Sequence, residues 1–119
     1  MNRVRASNGL RPLRYGDKLR AAARAHSADM MRRGYFAHGS FGRRMNGFGV
    51  RAPVVGENLA WGTGVYGAAK TIVREWLASP EHRANLLRPG FRAVGVGSAV
   101  GTFVGRSHAT VVTADFAGS

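Results

Sequence analysis

The sequence predicts an α+β fold, with helices first and an antiparallel meander last. Three observations predict it. Residues 18–33 are rich in Ala and Arg and repeat apolar side chains every three or four positions. Residues 66–78 repeat the same spacing. From about Ala93 onward the period changes, and small or β-branched residues are separated by glycines. At 119 residues the chain suits one domain, 1–119, large enough to bury a core without staples.

Residues 2–7 read as a short helix, stopped at Asn8-Gly9 and again by Pro12. Asp17 reads as the N-cap of the next helix. From Lys18 to Arg33, the residues Leu19, Ala23, His26 and Met30 form one apolar stripe, with Arg20, Arg24 and Asp29 off it, and Gly34 ends the helix. Residues 35–55 are glycine-rich and read as irregular, with Phe36, Phe41 and Phe48 pinning a loop onto the core. VVGENLAWGTG, residues 54–64, reads as a loop before a second long helix. That helix runs from about Tyr66 to Ala78, with Ala69, Ile72, Val73, Trp76 and Leu77 as its buried stripe. Ser79-Pro80 breaks it, residues 81–87 form a short helix, and Pro89-Gly90 makes a turn. The remainder reads as strand, turn and strand, with room for a third strand.

Composition removes several function classes. Apolar content of 45% and charged content of 20% describe a globular chain. Cysteine is absent, which excludes disulfides, thiolate metal sites and a cysteine nucleophile. No run approaches the roughly 18 apolar residues of a membrane span. Residues 1–13 lack the charged and apolar regions of an export signal. The net charge is +12, and only Lys18 and Lys70 are lysines, so arginine supplies the excess. Such a surface is either simply solvated or attracts a polyanion such as an anionic cell-envelope polymer. The arginines are scattered and the aromatics do not interleave with them, which speaks against nucleic acid.

The polar residues that could carry chemistry are few. HExxH and GxSxG are both missing. GRSHA at 105–109 has no helix after it, and GVGSAVG at 95–101 lacks the spacing of a dinucleotide loop. Three residues remain: His38 after Phe36, Glu57 in GEN, and His82 after the Ser-Pro break. A carboxylate in a stretch otherwise built for burial must be met by a charge, a metal or hydrogen-bond donors. Two imidazoles and a carboxylate suit a divalent metal such as zinc, or a proton-transfer pair. The structural alternative has each histidine as a hydrogen-bonded, partly buried side chain and Glu57 accepting backbone N–H bonds. His26 reads as a core or cleft-wall histidine, Asn58 and Trp61 as residues that fix the loop and fill the core, and His108 as exposed near a strand start.

Five blocks in order, NRVRASNGLRPL, ARAHSADMMRRGYFAH, GENLAWGTG, REWLASPEHRANLL and FRAVGVG, resemble the CAP superfamily. That group holds the cysteine-rich secretory proteins, antigen 5 and plant pathogenesis-related class 1 proteins. The resemblance runs from Asn2 to Phe116 and points to the bacterial SCP-like extracellular branch. It implies a three-layer α-β-α sandwich around a small, mostly antiparallel sheet. It also implies a cleft that carries two histidines and two glutamates in eukaryotic members. By motif, His38 matches the first histidine, Glu57 the GEN glutamate, and His82, thirteen residues before Gly95, the second histidine. The fourth place, three residues after Trp76, is Ser79, and neither Glu75 nor Glu81 has a motif match.

The resemblance implies an extracellular or envelope-associated binding module, monomeric by default. Its cleft would hold Zn²⁺ or another divalent cation through His38, Glu57 and His82, or a small or lipidic ligand. Two alternatives stay open. One is a hydrolase with Glu57 as base, His38 or His82 as proton shuttle and Ser79 as nucleophile. The other is a polyanion binder acting through the arginine-rich surface.

Overall fold

The computed structural model describes residues 1–119. Four strands form one sheet in the order β1-β3-β4-β2. They are β1 (Arg14–Tyr15), β2 (Val54–Thr63), β3 (Phe91–Phe103) and β4 (Arg106–Gly118). β3 and β4 pair antiparallel, as do β2 and β4, while β1 runs parallel to β3. The turn between β3 and β4 is two residues, Val104 and Gly105, with φ of 44° and 82°. Positive φ at both places is what a tight hairpin of right-handed twist requires.

Helices cover both faces, as a three-layer sandwich demands. On one face lies α2 (Asp17–Arg33). Its stripe is buried as expected: Leu19, Ala23, His26 and Met30 are all 4% exposed or less. Leu19 and Ala22 pack with Ala93 and Ala117, and Met30 with Leu59, Phe103 and Val111. On the other face lie α4 (Ala69–Ala78) and α5 (Pro80–Leu86). Ile72, Trp76 and Leu86 there join Phe91, Val94, Val112 and Phe116 in the largest cluster. The Trp76 indole N–H also donates to the Leu59 carbonyl at 3.0 Å, so its polar end is satisfied where it is buried.

Several local expectations are corrected. GENLAWGTG is a strand, paired with β4 along its whole length from Val54↔Gly118 to Thr63↔Ala109. Its small residues hid the two-residue alternation that would have marked it. A helix, α3 (Phe41–Gly47), forms inside the segment that reads as irregular. Its two glycines disfavour helix, and burial of Met45 against Leu19 and Ala117 offsets that cost. Phe41 packs against the core, but Phe36 and Phe48 remain 44% and 38% exposed. Asp17 is the first helical residue, and Gly16 is the N-cap. Gly16 donates to the Val94 carbonyl at 3.0 Å, so pairing with β3 keeps the chain extended one residue longer. The second long helix starts at Ala69, after a 3-10 turn at Gly64–Gly67 that leaves Tyr66 and Ala69 exposed. The last part of the chain forms two strands only; β2 and β1 complete the sheet.

Candidate functional site

Strand register places the site. β2 is an edge strand, and Glu57 lies directly across the ladder from Asp115 on β4. Alternation sends Glu57, Leu59 and Asp115 toward the α2 face and Asn58 toward α5. Asn58 then bridges the layers: its Nδ2 donates to the His82 carbonyl at 3.0 Å, and its Oδ1 accepts from Asn85 at 2.9 Å. The expectation that Asn58 fixes this stretch holds in that form.

The side chains of Glu57 and Asp115 are 1% and 0% exposed. Arg44, on α3, meets both. Its two terminal nitrogens fork onto the two Glu57 oxygens, one of them at 3.2 Å, and Nη1 lies 3.4 Å from Asp115 Oδ2. Nη2 also donates to the His38 carbonyl at 2.8 Å, which pins the loop that carries His38. His38 Nδ1 lies 2.8 Å from Glu57 Oε1. With the carboxylate ionised, Nδ1 is the donor and the other ring nitrogen, Nε2, is left as an acceptor. The His38 side chain is 53% exposed, so that nitrogen belongs to the solvent side. No backbone amide reaches the carboxylate; a guanidinium and an imidazole meet it, with the Asp115 carboxyl across the ladder.

The two carboxyls titrate in opposite directions. Burial, then the hydrogen bond to Glu57 and its charge, push Asp115 up to about 9. Burial also pushes Glu57 up, but hydrogen bonds from Asp115, Arg44 and His38 outweigh it and hold Glu57 below its ordinary value. The pair therefore carries one proton at neutral pH, on Asp115. Asp115 Oδ1 is buried with no hydrogen-bond partner. Between the ordinary aspartate value of 3.8 and about 9, the native state binds a proton that the unfolded chain has shed. Asp115 thus makes stability fall as pH rises through that window. Glu57 acts oppositely: its contribution is present above the ordinary 4.5 and is lost as pH falls through its depressed value. Asp115→Asn keeps the shape of the protonated acid and removes its titration. This variant is expected to gain stability on wild type as pH rises from about 4 to 8–9, by up to about 1.4 kcal/mol per pH unit. Urea denaturation at several pH values checks this; a constant gap across that range refutes the proton assignment.

Beside His38 a groove of about 790 Å³ opens between the C-terminal half of α2 and the 38–44 segment. Arg32, Arg33, Arg43, Arg44 and both His26 and His38 line it, and Asp29 is its one acid. Asp29 is already held by Arg32 at 2.8 Å, Arg33 at 3.2 Å and the Tyr35 hydroxyl at 2.6 Å. His26 is buried, and its Nε2 lies 2.8 Å from the Ala37 carbonyl, to which it donates. Burial, then the nearby Arg44 charge, lower its pKa and keep it neutral. It is a satisfied wall residue, as expected.

The structure brings together His38 and Glu57 but does not join His82 to them. His82 sits on α5 with its ring 6.5 Å from that of Trp76, and no hydrogen bond or ion pair links it to His38 or Glu57. It lines a separate cleft of about 320 Å³ with Phe36, Trp61, Trp76, Glu75 and Ser79. His108 is exposed near the start of β4, and Glu81 is exposed on α5. No three His, Asp or Glu side chains stand close enough to hold a metal ion. The donor set therefore does not fit the divalent cation that the resemblance implies: both Glu57 oxygens are engaged, and a guanidinium stands beside them. Arg44 and Asp115 escaped sequence reasoning. Asp115 carried a signal, as an acid inside the apolar run VVTADFA. Arg44 carried none, because nothing distinguishes it from the other arginines.

The helix-sheet-helix sandwich is the fold of proteins that contain an SCP domain. The chain belongs to the cysteine-rich secretory protein (CAP) family, whose model matches residues 1–116. Over 101 residues it is 38% identical to the uncharacterized protein YkwD of Bacillus subtilis, covering 81% of this chain and 38% of YkwD. It is 33% identical to the uncharacterized membrane protein YlbC of the same organism, covering 81% of this chain and 28% of YlbC. The chain thus spans only 38% and 28% of the length of these relatives. Among solved structures it is similar to an extracellular protein of Bacillus anthracis containing an SCP domain. That match has a TM-score of 0.82 at 28% identity, over 99% of this chain and 37% of the other. An outer surface protein of Borrelia burgdorferi shares the fold, with a TM-score of 0.78 at 20% identity over 99% of this chain and 86% of that one. No helix here is long and apolar enough to cross a membrane.

Proposed function

We propose that this domain is a binding module of the cell exterior that takes an anionic ligand in the groove beside His38. The basic lining of that groove carries the reading: four arginines and two histidines surround one acid that is already paired. Arg43 is exposed there and has no hydrogen-bond or salt-bridge partner in the chain. The net charge of +12 extends the attraction over the surface and favours an anionic envelope polymer as the source of the ligand. The extracellular and surface proteins that share this fold are consistent with that setting.

The hydrolase alternative has one supporting observation, the Glu57–His38 bond, which is how a carboxylate orients a catalytic imidazole. The next member of such a chain is missing: no serine hydroxyl bonds to any histidine, and Ser79 lines the separate cleft with His82. Binding is therefore the better reading.

The test is fluorescence anisotropy of a labelled glycerol-phosphate oligomer against a neutral dextran of equal length. The phosphodiester is expected to bind more tightly, and its affinity to fall steeply from about 50 mM to about 200 mM salt. Arg43→Ala is expected to weaken it about fivefold, the worth of one exposed charge contact. Equal affinity for the neutral chain overturns the proposal.

A further inference from the structure

Two buried carboxyls face each other across β2 and β4, and the resemblance implies a divalent metal at one of them, Glu57. Here the charges close without one. Arg44 supplies one positive charge from α3, and its side chain is only 12% exposed. The guanidinium spans both Glu57 oxygens and reaches Asp115 Oδ2 and the His38 carbonyl, a fork that a planar five-donor group makes and a point charge does not. His38 Nδ1 is committed to Glu57, His26 Nε2 to the Ala37 carbonyl, and His82 lies in another cleft. A divalent ion would meet a buried guanidinium and lack a third ligand.

We propose that Arg44 is the resident cation of this site, standing where a divalent metal would otherwise balance Glu57 and Asp115 and keeping such metals out. The site then presents the imidazole of His38 to the groove beside Arg44, its orientation set by Glu57 and its loop held by Arg44. Arg44 is a positioning residue for that imidazole. Losing its charge leaves Glu57 and Asp115 facing a gap open to another cation.

Zinc chloride is titrated into the full chain while the imidazole resonances of His38 are followed by NMR and the melting temperature is recorded. Wild type is expected to show neither a His38 shift nor a change in melting temperature at tenfold excess zinc. Arg44→Gln is expected to melt lower than wild type and to regain about 4 °C or more with zinc. That gain should disappear when His38→Ala or Glu57→Gln is added. Zinc that moves His38 in the wild type overturns the proposal, and so does an Arg44→Gln protein that folds and ignores zinc. If Arg44→Gln does not fold, Arg44→Lys decides: it keeps the charge and is expected to exclude zinc like wild type. Zinc uptake at His38 by the lysine variant also overturns the proposal.

Discussion

Arg5→Ala is expected to destabilise the domain by about 3–5 kcal/mol, a loss near 12–20 °C in melting temperature. Arg5 is fully buried at the end of α1 (Asn2–Ser7). Its Nε donates to the Arg11 carbonyl at 2.8 Å, Nη1 to the carbonyls of Leu86 and Arg88 at 2.9 and 3.1 Å, and Nη2 to that of Phe91 at 3.3 Å. Leu86 is the last residue of α5 and Phe91 the first of β3. One guanidinium therefore satisfies carbonyls left open where a helix ends and places positive charge at that negative helix end. Burial, and next the Arg92 charge, lower its pKa, yet an arginine stays protonated at neutral pH. Alanine would strand four carbonyls, those of Leu86 and Phe91 in buried bonds, and leave a cavity. Arg5→Lys keeps the charge but cannot span the same acceptors, and an intermediate loss of about 2–3 kcal/mol is expected. Arg3 is exposed two residues away, and Arg3→Ala should change stability by no more than about 0.5 kcal/mol. Urea denaturation of the three variants checks the ordering. Equal effects at positions 3 and 5 would return Arg5 to the solvated surface where composition first placed it.

Gly97→Ala is the second large effect. α2 lies so close on β3 that a Cβ at Gly97 would stand 2.3 Å from the Arg24 amide nitrogen and 2.6 Å from the Ala23 carbonyl carbon. Those atoms are helix backbone and cannot turn aside as a side chain can. The helix must lift by about an ångström to restore ordinary contact, which a close-packed interface resists. Lifting it also opens the bond from Ser27 Oγ to the Gly97 carbonyl at 2.9 Å and the Ser27–Thr113 contact at 2.8 Å. A cost of about 3–5 kcal/mol is expected, above the usual range for overpacking because backbone, not a rotamer, must move. Gly101 on the same strand is the control. Its Cβ would meet only the flexible Met31 side chain, at 3.4 Å, so Gly101→Ala should cost under about 1 kcal/mol. Thermal melts of the pair separate close helix approach from a general intolerance of β3 to alanine.

These positions show why part of the molecule could be read and part could not. α2 was legible because its core side meets a flat sheet, so burial stamps a period of three to four on Leu19, Ala23, His26 and Met30. The final hairpin was legible from its small and β-branched residues separated by glycines. The partnership of His38 with Glu57 could be anticipated, since a carboxylate among residues built for burial must find a donor. β2 was read as a loop because small residues on both faces erase the alternation of a strand. α3 was missed because its local propensity is poor and it is held in place by tertiary contacts of Phe41, Met45 and Arg44.

The residues alone determined the class of fold, the path of the two long helices, and the need for some partner to meet Glu57. Each of these follows from interactions within a few positions of one another, or from the cost of burying a charge. Tertiary structure alone decided which group answers that need. The guanidinium of Arg44, the proton on Asp115 and the distance of His82 from both depend on contacts between strands and helices far apart in the chain. Such contacts leave no period, spacing or composition behind them. The same holds for Arg5, whose acceptors at Leu86, Arg88 and Phe91 lie more than eighty residues away and reach it only once the sheet is closed.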